Sequence, residues 1–172
     1  TYMQKFLVNT SGFSKVTATE ITAGALFLFM LLQPVVGHLS DRIGRRPVLI
    51  AFGLGGLLLT WPIMTTLAAT SDALAAFGLV LAAMVILSGY TAINAVVKAE
   101  LFPTAVRVLG VALPYAIANA IFGGTAEAVA LWFKAQGNES SFYLYVSGMI
   151  GASLIVYWFM RDTRNHSKIL ED

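Results

Sequence analysis

The sequence predicts an all-α fold, a polytopic bundle of transmembrane helices, and three observations carry that prediction. Hydrophobic residues make up 58% of the 172 residues, charged residues only 12%, and the mean hydropathy is +0.76, whereas a soluble domain carries about 25% charged residues. Long uncharged apolar stretches follow one another along the chain, and basic residues cluster in alternate gaps between them. The lipid bilayer is therefore the expected partner, and the composition excludes a soluble enzyme, a disordered region and a nucleic-acid partner.

Five stretches are long enough to cross a bilayer as helices, which takes about 20 mostly apolar residues. The uncharged runs cover residues 21–40, 47–71, 73–97, 108–126 and 140–160. They predict helices at about 17–39, 47–69, 73–98, 104–133 and 141–160, preceded by a partial helix at 1–8. The first residue is Thr1 rather than Met, and we expect a fragment of a longer polypeptide. The helical bundle then covers 1–160, followed by a tail at 161–172.

The distribution of Lys and Arg predicts the orientation, since cytoplasmic loops are enriched in both. Five helices place eight of the 11 basic residues on one side, in the gaps 41–47 and 98–107 and in the tail, and leave Lys5, Lys15 and Lys134 on the other. The richer side, including the C-terminus, is expected to be cytoplasmic.

Proline and glycine positions predict local features of the helices. Pro34, Pro62 and Pro114 fall inside helices and predict kinks. The small pairs Gly124/Ala128 and Gly148/Ala152 have the spacing that lets helix backbones approach closely. We therefore expect a bulky residue at Gly148 to overpack a helix contact.

Two strings between the predicted helices resemble a known family. The string GHLSDRIGRRP at residues 37–47 resembles the cytoplasmic loop signature of the major facilitator superfamily. The string KAELFPTAVR at 98–107 is similar to that superfamily's loop between its tenth and eleventh helices. The resemblance covers the whole chain and implies the second six-helix half of a major facilitator fold with its first helix truncated. It also implies a partner, the N-terminal half of the same polypeptide.

The resemblance narrows to the 2-oxoglutarate permeases of the metabolite:proton symporter family. It is carried by TYMQKFLVNT at residues 1–10, by KAELFP at 98–103 and by AIANAIFGG at 116–124. It implies a multi-pass symporter of the bacterial inner membrane that moves a small anionic metabolite with a proton by alternating access. Shikimate, citrate and proline/betaine permeases are relatives, so these substrates remain alternatives.

Polar residues at membrane depth are costly and tend to face a cavity or a partner. The candidate substrate-pathway residues are Gln33, Tyr90, Asn94, Lys98, Tyr115, Asn119 and Glu127. Taken singly, each is expected to form an interhelical hydrogen bond. Together, Tyr90, Asn94 and Lys98 on one helix face and Tyr115 and Asn119 on the next predict a shared aqueous path.

Glu127 is the acid that lies well inside a span, and two interpretations of it stay open. It is either an interfacial residue, solvated or paired with Lys134, or a group whose protonation is coupled to transport. Lys5 is likewise open to two interpretations, an interfacial cation or a contact for an anionic substrate.

Four charged residues in the two loops predict a conformational latch. Asp41 is expected to interact with the N-terminus of the helix that begins near Thr104, because helix N-termini favour carboxylates. Arg45 is expected to reach Glu100, and Arg107 to supply a second cation. The resemblance implies that such a latch holds the cytoplasmic side closed.

The sequence predicts no metal site, no cofactor and no catalytic residue. It has no Cys, its two His are His38 and His166, and neither a GxSxG nor an HExxH motif occurs. An intramembrane enzyme or a non-transporting membrane subunit is the alternative class, and it would need a nucleophile and a base, or metal ligands, in one pocket.

Overall fold

A computed structural model describes residues 2–164, which form eight α-helices, a π-helical turn and no strand. The helices are α1 Tyr2–Asn9, α2 Lys15–Ile43, α3 Arg45–Ala69, α4 Ala73–Thr91, α5 Asn94–Glu100, α6 Thr104–Ala118, α7 Gly124–Ala135 and α8 Glu139–Phe159. The π turn, Asn119–Gly123, joins α6 to α7. Most of the predicted tail, residues 165–172, lies outside the described residues. The predicted all-α bundle is confirmed.

Five helical segments are long and apolar enough to cross a membrane. They are Lys15–Ile43, Arg45–Ala69, Ala73–Glu100, Thr104–Ala135 and Glu139–Phe159. The first is longer than the predicted 17–39, so Asp41 and Arg42 lie in the last turn of α2 rather than in a loop. The connection to α3 shrinks to Gly44, whose φ of 104° lies in the region that favours glycine and allows the chain to reverse in a single residue.

Two of the predicted continuous helices are interrupted. The helix predicted at 73–98 breaks between α4 and α5, where Ala92 and Ile93 leave the regular pattern. The helix predicted at 104–133 contains the π turn, five residues after Pro114. Hydropathy predicts the extent of a span but not its hydrogen-bond pattern, so neither interruption was expected.

Helix α3 is central and packs most extensively against α8 and α4, while α2 packs against α4. Glycines of α3 make the approach of α8 close. A Cβ atom added to Gly53 would lie 2.7 Å from Leu154 Cδ1, and one added to Gly56 would lie 2.9 Å from Ile150 Cγ2. Side chains of α8 therefore fill the space that these glycines leave open.

The close packing predicted for Gly124/Ala128 and Gly148/Ala152 is wrong for the described residues. Nothing in them lies within 4 Å of a Cβ built on Gly124 or Gly148. The spacing of small residues identifies candidate contacts, but the neighbouring side chains decide which are used, and here the glycines of α3 are used.

The loops divide the bundle into two ends. The end that contains residues 10–14, 70–72 and 136–138 is called the Gly12 end. The end that contains residues 44, 101–103 and 160–164 is called the Gly44 end. Core residues near the Gly12 end include Phe6, Leu7, Ile21 and Leu67, and near the Gly44 end a second cluster joins Val48, Leu49, Ile93 and Val97. Helix α6 contributes no buried residue, so it borders the bundle rather than filling it.

We predict that Gly53→Ala lowers the stability of the full-length protein by about 1–3 kcal/mol, the usual range for overpacking a filled contact. The added methyl group would lie 3.0 Å from Leu154 Cβ, which cannot move without the backbone of α8. Thermal unfolding of the purified protein measures the effect.

The matched control is Gly78→Ala, also within a helix, because nothing in the described structure lies within 4 Å of its added Cβ. Its melting temperature should equal or slightly exceed that of the wild type. Equal melting temperatures for both variants would contradict the packing described for α3 and α8.

Candidate functional site

A cavity of about 710 Å³ lies beside the fourth span and contains four of the seven candidate pathway residues. Tyr90 and Lys98 reach it from the third span, and Tyr115 and Asn119 from the fourth. Phe52 of α3 and Tyr145 and Tyr157 of α8 complete an apolar and aromatic wall. Concave, mostly apolar sites with a few polar groups are typical of small-molecule binding.

Lys98 is the cation in the wall of this cavity. Its Nζ atom lies 4.1 Å from the centroid of the Tyr115 ring, over the ring face. The face of an aromatic ring attracts a cation and holds it in place without neutralising it. No carboxylate among residues 2–164 forms an ion pair with Lys98. Within this part of the chain, its charge is thus not neutralised.

The interruption between α4 and α5 changes which residues share a face. Tyr90 and Lys98 line the cavity, but Asn94 does not. A regular helix would have put all three on one side, four residues apart. Asn94 and Lys98 belong to the same helix, α5, so the break at Ala92 and Ile93 changes the phase of Tyr90 relative to both. The common face of Tyr90, Asn94 and Lys98 stays a prediction.

Gln33 lies outside this cavity and links two helices. Its side-chain oxygen accepts a hydrogen bond from Thr91 Oγ1 at 3.0 Å, and its amide nitrogen donates to the Phe29 carbonyl at 3.1 Å. Thr91 is the last residue of α4. Gln33 therefore attaches α2 to α4 at the point where the third span is interrupted.

Glu127 forms an ion pair with Lys5 of α1, not with Lys134 as one interpretation had it. Lys134 instead donates to Thr10 Oγ1 at 2.9 Å and lies 3.9 Å from the carboxylate of Glu139. The side chains of Lys5 and Glu127 are about 60% exposed, at 61% and 59%. The sequence separation of 122 residues explains why this pair could not be predicted from local spacing.

Arg45 is the centre of a charge cluster at the Gly44 end. It donates to Ser40 Oγ at 2.7 Å, pairs with Asp41 in the last turn of α2, and lies 3.4 Å from Glu100. The side chains of Arg45 and Glu100 are only 11% and 10% exposed, whereas Asp41 is 60% exposed. The reach of Arg45 to Glu100 agrees with the expected geometry.

Two other contacts of the predicted latch differ between the sequence prediction and the structure. The contact of Asp41 that the structure shows is with Arg45 rather than with the first turn of α6. Arg107 donates from Nε to the carbonyls of Ala99 and Phe102, at 3.0 and 3.1 Å, and forms no ion pair within residues 2–164. It thereby holds the turn between α5 and α6, where the carbonyl groups need a donor.

Two residues that sequence reasoning missed complete the cluster. Asp162 accepts hydrogen bonds from the backbone N–H groups of Arg45 and Arg46, at 3.1 and 3.4 Å, at the start of α3. Thr163 is 2% exposed and donates to the Glu100 carboxylate. A carboxylate suits a helix N-terminus, but the sequence gives no signal that residues 162 and 163 return to this position.

We find no group of three or more His, Asp or Glu residues arranged to hold a metal ion between residues 2 and 164. His166 falls outside that range. The polar side chains of the cavity are a lysine, tyrosines, an amide and a serine.

The chain is similar to several transport proteins. A model of the family described as "Sugar (and other) transporter" matches residues 1–169. The alpha-ketoglutarate permease of Escherichia coli (strain K12) is 51% identical over 156 residues, 91% of this chain. The citrate-proton symporter of Klebsiella pneumoniae is 35% identical over 75% of this chain, and the proline/betaine transporter of Escherichia coli (strain K12) is 28% identical over 96%.

The chain spans only part of these relatives: 36% of the permease, 30% of the citrate symporter and 33% of the proline/betaine transporter. No solved structure matches it significantly. The family match covers nearly the whole chain and agrees with the five apolar spans and the two loop motifs. The chain therefore belongs to the sugar (and other) transporter family of the major facilitator superfamily, as its loop strings predicted.

Proposed function

We propose that this chain is part of a secondary transporter that carries a dicarboxylate such as 2-oxoglutarate together with a proton across the bacterial inner membrane. It would form most of the second six-helix half, and the other half of the same polypeptide would be its partner. Substrate would bind near the midplane between the halves, which move by alternating access.

The position of Lys98 is the observation that carries this proposal. It places one positive charge, held over the ring of Tyr115, in a cavity with mostly apolar walls. Electrostatic attraction to a carboxylate is stronger in such a medium than in water. Tyr90 and Asn119 line the same cavity and supply hydrogen-bonding groups for the remaining polar atoms of a small anion.

The similarity to an alpha-ketoglutarate permease at 51% identity favours 2-oxoglutarate over other anions. Citrate is the alternative anion, supported by the citrate-proton symporter, and an uncharged or zwitterionic solute such as proline or betaine is supported by a more distant relative. A lysine that no carboxylate among residues 2–164 neutralises favours the anions. The transport proteins among the relatives also favour transport over an enzymatic function.

The basic residues support a cytoplasmic Gly44 end, and with it a cytoplasmic C-terminus. Seven of the ten Lys and Arg residues between residues 2 and 164 lie in the segments at this end or in the helical turn next to them. Cytoplasmic loops carry such an excess. Lys5, Lys15 and Lys134 lie toward the Gly12 end, which would face outward.

The cluster around Arg45 is proposed as the latch that keeps the cytoplasmic side closed. Arg45 and Glu100 are shielded from water, and Thr163 gives the Glu100 carboxylate a further donor. An exposed pair is worth about 0–1 kcal/mol, whereas removing one partner of a buried pair costs about 3–5 kcal/mol. Glu100 should therefore contribute more to the latch than the exposed Asp41.

We predict that Lys98→Gln raises the KM for 2-oxoglutarate by about tenfold or more, because a charge-assisted hydrogen bond contributes roughly 1.5–3 kcal/mol. Uptake of labelled 2-oxoglutarate by cells expressing the full-length protein measures this effect, with shikimate, citrate and proline as competitors. Lys98→Arg keeps the charge and should retain part of the affinity.

Tyr115→Phe is the matched control, because it keeps the ring face under Lys98 and removes only the hydroxyl group. Its KM should stay within about twofold of the wild type, since the ring face supplies the attraction. A Lys98→Gln protein with the wild-type KM and the wild-type ranking of competitors would overturn the proposed role of the cavity.

We predict that Glu100→Gln biases the full-length transporter toward the inward-open state by more than Asp41→Asn does. The reporter is a single cysteine at Ser153, a cavity residue, in a chain that has no native cysteine. An impermeant maleimide applied to inside-out vesicles should label it faster by about tenfold or more in Glu100→Gln, because the buried Arg45 loses its one shielded carboxylate and keeps only the exposed Asp41.

The same reporter in Asp41→Asn should react no more than about fivefold faster, the factor that corresponds to 1 kcal/mol for an exposed pair. Thermal unfolding of the purified variants provides the check on folding. Wild-type labelling rates in folded Glu100→Gln protein would refute the latch.

A further inference from the structure

Two ion pairs lie at the Gly12 end of the bundle and differ in their surroundings. Lys5 of α1 pairs with Glu127 of α7, and both side chains are largely exposed. Lys134 and Glu139 are 39% and 22% exposed and share the hydroxyl of Thr10, which donates to Glu139 at 2.9 Å and accepts from Lys134 at 2.9 Å. The second pair is therefore tied into a network, while the hydrogen bond of Lys5 to Glu127 has no further side-chain partner among residues 2–164.

Glu127 also borders the cavities that lead to Lys98. A second cavity, of about 470 Å³, is lined by Glu127 and by Gly123, Ala126 and Val146, and the last three also line the first cavity. A third, small cavity contains both Lys5 and Glu127. The cavities thus follow one another from the Lys5–Glu127 pair at the Gly12 end to Lys98 deeper in the bundle.

The chemistry of the pair allows its anion to be exchanged. Lys5 carries three N–H donors and no acceptor, so it binds any carboxylate in the same way that it binds Glu127. A largely exposed ion pair contributes little to stability, so its anion is readily replaced. The second cavity is lined by apolar and aromatic side chains such as Met64, Phe142 and Tyr143. If the Glu127 side chain leaves Lys5 and enters this cavity, its protonated form is favoured over its charged form.

We propose that the Lys5–Glu127 pair is a carboxylate-exchange site that couples proton uptake to the binding of the anionic substrate. A carboxylate of the substrate takes the place of the Glu127 carboxylate on the Lys5 ammonium group, and Glu127 takes up a proton from the outer solution. This inference rests on the proposed function and adds to it the residues that link proton to substrate.

The exchange conserves charge at the site. Before it, the site holds the Lys5 cation and the Glu127 carboxylate, and its net charge is zero. After it, the site holds the Lys5 cation, a neutral Glu127 and one substrate carboxylate, and the net charge is again zero. One proton therefore enters with each substrate carboxylate bound at Lys5. Without the proton, two carboxylates would compete for a single cation, and like charges in one site disfavour each other.

The other titratable groups around Glu127 do not replace Lys5 in this role. Tyr2 of α1 and Tyr143 of α8 line the second cavity with it and carry no positive charge. Lys134, on the same helix as Glu127, is bound to Thr10 and to the Asn9 carbonyl, and Glu139 of α8 is bound to Thr10. Lys5 is the remaining cation of the third cavity in the described part of the chain.

Calorimetric titration of the purified full-length transporter with 2-oxoglutarate tests the proposal. Titrations at pH 6 and pH 7, each in two buffers of different ionisation enthalpy, give the affinity and the number of protons taken up. For the wild type we expect about one proton per bound substrate and an affinity that rises by up to about tenfold per pH unit as the pH falls.

Glu127→Gln imitates the protonated state and should bind with the same affinity at both pH values and with no proton uptake. Lys5→Gln should bind at least tenfold more weakly than the wild type at pH 6. Lys134→Gln and Glu139→Gln, the neighbouring pair, are the matched controls and should keep the wild-type proton uptake. Lys98→Gln should bind weakly yet still take up a proton with each substrate.

Two contrary results are distinguishable. Glu127→Gln protein that binds 2-oxoglutarate with wild-type proton uptake would overturn the exchange site and leave the proposed transport function intact. A wild-type protein that neither binds nor transports any dicarboxylate would overturn the proposed function itself, and the exchange site with it.

Discussion

The constraint on which the rest of the structure depends is that backbone N–H and C=O groups inside a bilayer must be satisfied within the protein. Five long helices meet it across most of the chain. It is relaxed at the break after Thr91 and at the π turn Asn119–Gly123, and irregular backbone at membrane depth is tolerated where it lines a cavity. Both interruptions border the same cavity: Tyr90 and Lys98 flank the first, and Asn119 belongs to the second. The departures from regular helix therefore mark the candidate site.

The charged residues at the two ends of the bundle differ in their exposure to water. At the Gly44 end, Asp162 and Thr163 fold back onto Arg45 and Glu100, so the segment after the last span connects the start of α3 to the end of α5. These groups are shielded from water and favour one fixed arrangement. At the Gly12 end, Lys5 and Glu127 form a pair whose side chains are largely exposed. A shielded cluster suits a latch and an exposed pair suits an exchange site, so burial supports their different proposed roles.

Composition and hydropathy were sufficient to predict the number and approximate extent of the spans, because an apolar run of about 20 residues rarely forms anything other than a membrane-spanning helix. The loop strings predicted the family, and the approach of Arg45 to Glu100 was expected from them. Features set by tertiary neighbours were not predictable: the ion pair of Glu127 with Lys5, and the absence of a neighbouring side chain beside Gly148 among residues 2–164. Each depends on residues far apart in the chain, and the spacing of small or polar residues within one helix carries no information about them.

The central claim is that the cavity around Lys98 is an aqueous path that admits a dicarboxylate. The most direct test is the labelling of Asn119→Cys in the full-length protein by a membrane-impermeant thiol reagent, with and without 2-oxoglutarate. Ile155→Cys, on an exposed position of α8 outside the cavity, is the control. We predict that Asn119→Cys reacts readily and is protected by 2-oxoglutarate but not by proline, while Ile155→Cys does not react. An Asn119→Cys protein that is unreactive from both sides of the membrane, or that reacts equally with and without 2-oxoglutarate, would contradict the account.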